Sequence, residues 1–440
     1  MTTTTAPAPA PRLRFRLPDA VSVLGERDFR VIWSGQAVSM VGTWMQMVAQ
    51  GLLVLQLWNN AFALGALNFS NAVPSLLVML FGGVLADRVE KRRILLVTQF
   101  VMMLLALAVG LLVVVDQVQY WMLIVATVGL GIAFGYDMPA YSALLPELVP
   151  PEKIGQAVAL NSSTFHGTRM IGPAVAGAAI AVFGLAAAYF LNAASFLAVI
   201  LSLLIIRYRP KPRPAGPRLS AIEGLKEGLR HAKRRPNIQA MLLLTALNTM
   251  LIFPVIAILT PFYVRNVLHA GPGVLGAMWA GSGFGSLLGA LALVWWGRHW
   301  RAQRIWLAAV VAPAGLLVMA LTRDAWVAIA LQPFVSFAFS SQLGLMQMMM
   351  QESTPAEYRG RVMSLSGIAF NGTMPLAALV ISGVATVAGL PVVMLACAAL
   401  YAGSAAWALR FAGGGIERVV ATSFREYAAV SPEGAVAGGR

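Results

Sequence analysis

GVLADRVEKRR, residues 83–93, is the stretch whose reading decides the fold. It lies between two long apolar runs. Apolar character ends at Ala86, and six charges then fall within seven residues: Asp87, Arg88, Glu90, Lys91, Arg92 and Arg93. A cluster this dense does not enter hydrocarbon, because each buried charge is costly there. Both flanks, in contrast, are long enough to cross it. The segment is therefore expected to be a tight hairpin at the membrane surface, on the cytoplasmic side, where short loops rich in Lys and Arg are retained.

The composition agrees. Of 440 residues, 59% are hydrophobic and 11% charged, and the mean hydropathy is +0.75. That is far too apolar for an ordinary soluble chain, so the bilayer is the expected solvent. The net charge of +15 raises nucleic acid as a partner. That reading needs a basic surface with polar and aromatic readers, whereas here the basic residues punctuate apolar runs, and no nucleic-acid partner is expected. A single cysteine, Cys397, gives no disulfide or metal framework, and the four histidines show no ligand spacing. There is no phosphate-cradling loop, so direct use of ATP is not expected, nor is any cofactor. No nucleophile, base and orienting group recur at workable spacing, which argues against an enzyme.

Twelve apolar runs follow the first 30 residues, at about 31–57, 61–86, 94–115, 120–145, 154–183, 186–206, 238–264, 271–296, 305–321, 325–350, 361–387 and 390–411. Their lengths suit helices crossing roughly 30 Å of hydrocarbon. The expected fold class is an all-α membrane protein with 12 transmembrane helices in two six-helix halves. The boundaries are an N-terminal arm at 1–28, halves at 29–206 and 237–411, a basic linker at 207–236 and a tail at 412–440. The arm is Thr-, Ala- and Pro-rich and lacks the pattern of a secretory signal. On this map 29 of the 32 basic residues fall on one side, which places both termini in the cytoplasm. Within the linker, Ser220 and Glu223 match a capping box and Pro236 marks a stop. The segment reads either as a basic helix on the inner membrane surface or as a solvated linker helix.

An internal repeat supports the division. A shift of 205 residues superimposes Glu147 on Glu352, Pro150 on Pro355, Glu152 on Glu357, Gly155 on Gly360, Leu160 on Leu365, Phe165 on Phe370, Gly167 on Gly372 and Thr168 on Thr373. The halves read as parallel duplicates.

Polar residues inside the runs are the candidates for function. In the first run Gln36, Ser39, Thr43, Gln46 and Gln50 are spaced to share one helix face. Amides facing lipid would be unsatisfied, so the stripe is either one wall of a central water-accessible cavity or a set of interhelical hydrogen bonds. Asn68 and Asn71, Asn248, Ser336 and Ser340, and Asn371 are weaker candidates of the same kind. Met346, Met348, Met349 and Met350 either line an apolar binding wall or fill gaps. Asp137, in FGYDMPAY, is the acid placed inside a run, about 24 Å from the outer end by helical rise. It is a proton-coupling candidate, a latch partner for Arg88 or Arg92, or part of a structural pair. Arg169 stands at mid-membrane in FHGTRMIGPAVAG, about 22 Å up its helix. It either pairs with Asp137 or faces the cavity, where it would attract an anionic group. His166, nearly one turn below, is a second proton-coupling candidate. Gly281, Gly285 and Gly289 form a small-residue packing face rather than a dinucleotide loop.

Two stretches carry a family resemblance. G-x-L-A-D-R-x-x-x-R-R at Gly83 to Arg93 resembles the signature loop between helices 2 and 3 of the major facilitator superfamily, with Glu90 where the family often has Gly. PAYSALLPELVPPEKIGQAVALNSSTFHGTRMIGPAVAG, Pro139 to Gly177, resembles the branch that includes the enterobactin exporter, called transmembrane secretion effectors. The resemblance implies a secondary transporter, an exporter of siderophores or drug-like amphipathic molecules from bacteria coupled to proton entry. An importer or lysolipid flippase of the same fold, or a non-transporting receptor or secretion partner, are the rival readings. It also implies that Asp87, Arg88 and Arg92 form a conformational latch with Asp137 nearby, and that Asn161 and Arg169 are functional positions. The implied setting is the bacterial inner membrane, with a small-molecule substrate, protons and lipid as partners and a monomeric protein.

Overall fold

Hydrocarbon offers no partner for backbone N–H and C=O groups, so apolar runs of this length can close their hydrogen bonds only as helices. A computed structural model of the chain describes residues 22–208, 221–295 and 301–411; the side chains of 80–88, 166, 221–225, 294–295, 302, 356 and 408–411 lie outside the description. The described residues are helical almost throughout. The first half contains α1 (Arg27–Leu57), α2 (Ala61–Arg88), α3 (Lys91–Val114), α4 (Tyr120–Leu144), α5 (Ile154–Phe183) and α6 (Leu185–Ile205). The linker helix is α7 (Ala221–Lys233). The second half contains α8 (Pro236–Leu251), a π turn at Pro254–Ile258, α9 (Thr260–Asn266), α10 (Pro272–Trp295), α11 (Arg301–Leu321), α12 (Ala325–Glu352), α13 (Ala356–Gly367), a π turn at Ile368–Gly372, α14 (Met374–Ala388) and α15 (Leu390–Phe411).

Among the described residues, eleven segments are long and apolar enough to cross a membrane. The remaining expected crossing corresponds to the 30-residue α5, whose described stretch is interrupted at His166, a side chain outside the description. It carries Asn161, Ser162, Ser163, Thr164 and Arg169 and packs against α1 in its own half and α10 in the other.

The two halves repeat one plan. α2 packs on α4, α3 on α4 and α6, and α1 on α6; in the second half α10 packs on α12, α11 on α12 and α15, and α8 on α15. The backbone marks the same duplication. Gly184 between α5 and α6 has φ +78°, and Gly389 between α14 and α15 has φ +84°, a conformation that Gly adopts without a side-chain clash. Their separation is again 205 residues.

Ion pairs repeat as well. Lys91 Nζ at the start of α3 lies 3.2 Å from Glu147 Oε1 just beyond α4, and Tyr208 donates to the other carboxylate oxygen at 2.5 Å. In the second half Arg301, at the start of α11, holds Glu352, at the end of α12, through two bonds of 2.6 and 3.0 Å. The Glu147 and Glu352 identity in the repeat thus marks two equivalent helix-end clamps at the basic end of the bundle.

Across the halves, α5 meets α10 and α2 meets α14. A Cβ on Gly276 would lie 3.0 Å from the Pro173 carbonyl oxygen and 3.4 Å from Gly177 Cα. At the end away from the basic loops, Asn59 and Asn266 exchange amide hydrogen bonds of 2.9 Å. There, too, Thr386 Oγ1 accepts from Phe62 N at 3.0 Å and donates to Asn60 Oδ1 at 2.6 Å.

The linker helix α7 is docked rather than free. Glu227 pairs with Arg361 at 2.7 Å, and the His231 ring stacks on Tyr358 at 4.4 Å between centroids. Its Leu229 stays exposed. Residues 1–21 of the expected arm and the whole expected tail at 412–440 lie outside the described residues.

Candidate transport site

The polar stripe of α1 lines a cavity ≈ 340 Å³ in volume. Gln36, Ser39, Thr43, Gln46 and Gln50 all contribute, facing Asn68 and Asn71 of α2, Gln99 of α3, Thr127 and Asp137 of α4, and Asn192 of α6. The second half supplies Ala257, Ile258, Pro261 and Trp279. The sequence leads one to expect a cavity shared between lobes. Its polar wall instead lies inside the first six-helix half, and the other half closes it with apolar and aromatic surface. The stripe does both things the sequence leaves open, lining a cavity and bonding between helices. Gln50 Nε2 donates to Thr127 Oγ1 at 2.7 Å, Asn192 Nδ2 donates to Gln46 Oε1 at 2.7 Å, and Thr43 Oγ1 donates to the Ser39 carbonyl.

Asp137 is buried, and its Oδ1 accepts from Thr98 Oγ1 at 2.7 Å and from Gln99 Nε2 at 3.0 Å. Both partners lie on α3. Arg92 donates to the Leu204 carbonyl at 3.1 Å rather than to Asp137. The side chains of Asp87 and Arg88 lie outside the described residues, although their backbone completes α2.

Arg169 does not line this cavity. Its guanidinium stands 5.9 Å from the Trp44 ring centroid, beside a small neighbouring hollow formed with Met47, Ile256, Trp279 and Ser282. The cation is held against an aromatic face at the junction of the halves, and Asp137 is bonded elsewhere. His166 also belongs to the side chains outside the description.

The remaining candidates are scattered. Asn161 accepts from Tyr141 Oη at 3.1 Å. Asn248 is fully buried and donates to the Phe339 carbonyl at 3.1 Å. Asn371 lies on the exposed side of its π turn. Ser336 bonds Ser282, and Ser340 donates to the Ser286 carbonyl, stitching α12 to α10. Met346, Met349 and Met350 are buried in a cluster with Ile238, Met241 and Leu244, so they fill the second half's core. Gly281, Gly285 and Gly289 pack on α12, as their spacing suggests, whereas Gly283 faces α5.

Thr98, Gln99, Thr127 and Asn192 are the site residues that sequence reasoning does not single out. Thr98 and Gln99 are a single adjacent pair on α3, and Thr127 and Asn192 stand on two other helices, so no long stripe announces them. The general rule that polar groups in hydrocarbon face inward is the available signal.

Two parallel-duplicated helical halves with a buried polar cavity define the class, the major facilitator fold of membrane transporters. The chain belongs to the transmembrane secretion effector family, whose sequence pattern matches residues 19–425. It is similar to the multidrug efflux pump Tap of Mycolicibacterium fortuitum, 25% identical over 363 residues that cover 81% of this chain and 88% of Tap. It is also similar to the macrolide efflux protein A of Streptococcus pyogenes, 22% identical over 363 residues, 79% of this chain and 87% of the relative. The crystal structure of the nucleoside transporter NupG superimposes with a TM-score of 0.70 at 12% identity, covering 88% of this chain and 99% of that one. The chain is thus a multi-pass membrane transporter for a small-molecule substrate.

Proposed function

We propose that the protein is a proton-coupled exporter of siderophore-like or drug-like amphipathic molecules, working by alternating access in a bacterial inner membrane as a monomer with both termini cytoplasmic. The observation that carries this reading is the position of Asp137. It is a buried carboxylate in the polar wall of a cavity of ≈ 340 Å³, and cavities of roughly 300–1,000 Å³ accommodate drug-sized ligands. A carboxylate held, among the described residues, by neutral donors is able to take up and release a proton as the two halves rock about the site. The efflux relatives support the outward direction. His166 is a second proton carrier by position in the sequence, and Asn161 and Asn371 are secondary contacts along the route. Asp87, Arg88 and Arg92 latch one of the two states at the basic end.

The test is transport in proteoliposomes with an imposed pH gradient. An antiporter releases protons inward as cargo leaves, and Asp137→Asn abolishes the coupled proton flux while the protein still inserts. Cargo movement with unchanged proton coupling in Asp137→Asn would refute the assignment. Flux in the opposite direction would indicate an importer or flippase, and ligand binding without flux a receptor.

A further inference from the structure

The charge inventory of the cavity specifies the head group of its cargo. Among the described residues lining it, Asp137 is the one ionisable side chain, and the other polar groups are amides, hydroxyls and the Trp279 indole. The nearby cations are engaged elsewhere, Arg169 over Trp44 and Arg92 on the Leu204 carbonyl. Among the described residues, the wall therefore holds one negative charge with no positive one beside it.

Gln99 directs its amide nitrogen to Asp137 Oδ1 at 3.0 Å. An ammonium brings three donors and no acceptor, a guanidinium five, and either suits a lone carboxylate as a charge-assisted partner. An anion would meet Asp137 with no base among the described residues to hold it.

We propose that the cavity takes an amphipathic cation whose N–H-bearing head, ammonium or guanidinium, sits at Asp137 and Gln99 in the first half. Its hydrocarbon body lies against Ile258 and Trp279 of the second. This assignment rests on reading the cavity as the cargo site.

The experiment is equilibrium binding to the full chain in zwitterionic nanodiscs, corrected with empty discs, using three probes that share a dansyl group. Monodansylcadaverine carries a primary ammonium, its N-acetyl derivative is neutral and dansylglycine is a carboxylate. The wild type binds the ammonium about tenfold or more tighter than the acetyl form, the size of one charge-assisted hydrogen bond. Asp137→Asn removes that preference and keeps acetyl-form affinity, which certifies an intact cavity. Gln99→Leu removes one amide donor from the same carboxylate and leaves the ammonium preference in place, and Trp279→Ala weakens both probes by the same factor. Equal binding of the two amine-derived probes, tighter binding of dansylglycine, or a preference that survives Asp137→Asn overturns the proposal. Loss of cation preference alongside intact pH-driven efflux removes this inference and leaves the efflux reading standing. Selective ammonium binding without any flux does the reverse.

Discussion

Two glycines two residues apart on α10 make opposite predictions. A Cβ on Gly283 would lie 2.5 Å from Met170 Cα, 2.7 Å from Met170 N and 2.9 Å from the Arg169 carbonyl carbon. All three are backbone atoms of α5, in the other half, and none moves without shifting that helix. A Cβ on Gly285 would lie 2.7 Å from the Pro333 carbonyl carbon and 2.8 Å from its Cα, on α12 of the same half. An overpacked contact costs about 1–3 kcal/mol. For Gly285→Ala the cost is present whenever the second half is folded, so the thermal midpoint falls. For Gly283→Ala the cost is present only while α5 and α10 are pressed together, and it is relieved when the halves part along that seam. The same 1–3 kcal/mol then appears as a shift of about 5- to 150-fold in the conformational equilibrium, with little loss of stability. Double electron–electron resonance between nitroxides at Gln117→Cys and Gly271→Cys reads the separation. Both positions are exposed, Gly271 has open space around it, and the native Cys397 is buried. Gly283→Ala should lengthen the mean distance and Gly285→Ala should not. Identical distance distributions together with equal drops in thermal midpoint would show that the seam does not open during transport.

The helix-end clamps are testable in parallel. Glu352→Gln leaves Arg301, whose side chain is 2% exposed, without its carboxylate and should cost about 3 kcal/mol of stability in a melt, with Glu147→Gln behaving alike through Lys91. Tyr208→Phe removes one hydrogen bond to Glu147 and should cost about 1 kcal/mol with no change in cargo affinity. Gln50→Leu breaks the α1 to α4 bond with Thr127 in the cavity wall and should weaken cargo binding by about tenfold, read by titration in nanodiscs. Asp87→Asn should lower transport while the protein still inserts, and unchanged efflux would exclude the hairpin latch.

The hairpin at Gly83 to Arg93 and the repeat at 205 residues were legible because both are local statements, a density of charge and a spacing. Hydrocarbon turns such statements directly into topology. The stripe from Gln36 to Gln50 was legible for the same reason, since helical periodicity alone puts it on one face. What surrounds the stripe was not legible. Helix neighbours come from tertiary packing, and only the packing of α3 and α6 against α1 and α4 brings Gln99 and Asn192 to the cavity. The partners of Asp137 were hidden likewise, because Thr98 and Gln99 sit 39 and 38 residues away in an otherwise apolar helix. Arg169 illustrates the converse. Its depth matched that of a cavity residue, but depth says nothing about azimuth, and its helix turns it onto Trp44.

Both π turns among the described residues belong to the second half, Pro254–Ile258 and Ile368–Gly372. The first presents Ala257 and Ile258 to the cavity, and its Ile256 carbonyl accepts from both Gln332 Nε2 and Thr260 Oγ1. Such a turn is one surplus residue in an α-helical register. Moving the surplus along by one position rotates each side chain it passes by about 100° without unravelling the helix. The duplicated lobes are therefore unequal: one supplies the polar wall, and the other carries in Pro254–Ile258 a surplus residue whose shift would re-aim its apolar wall.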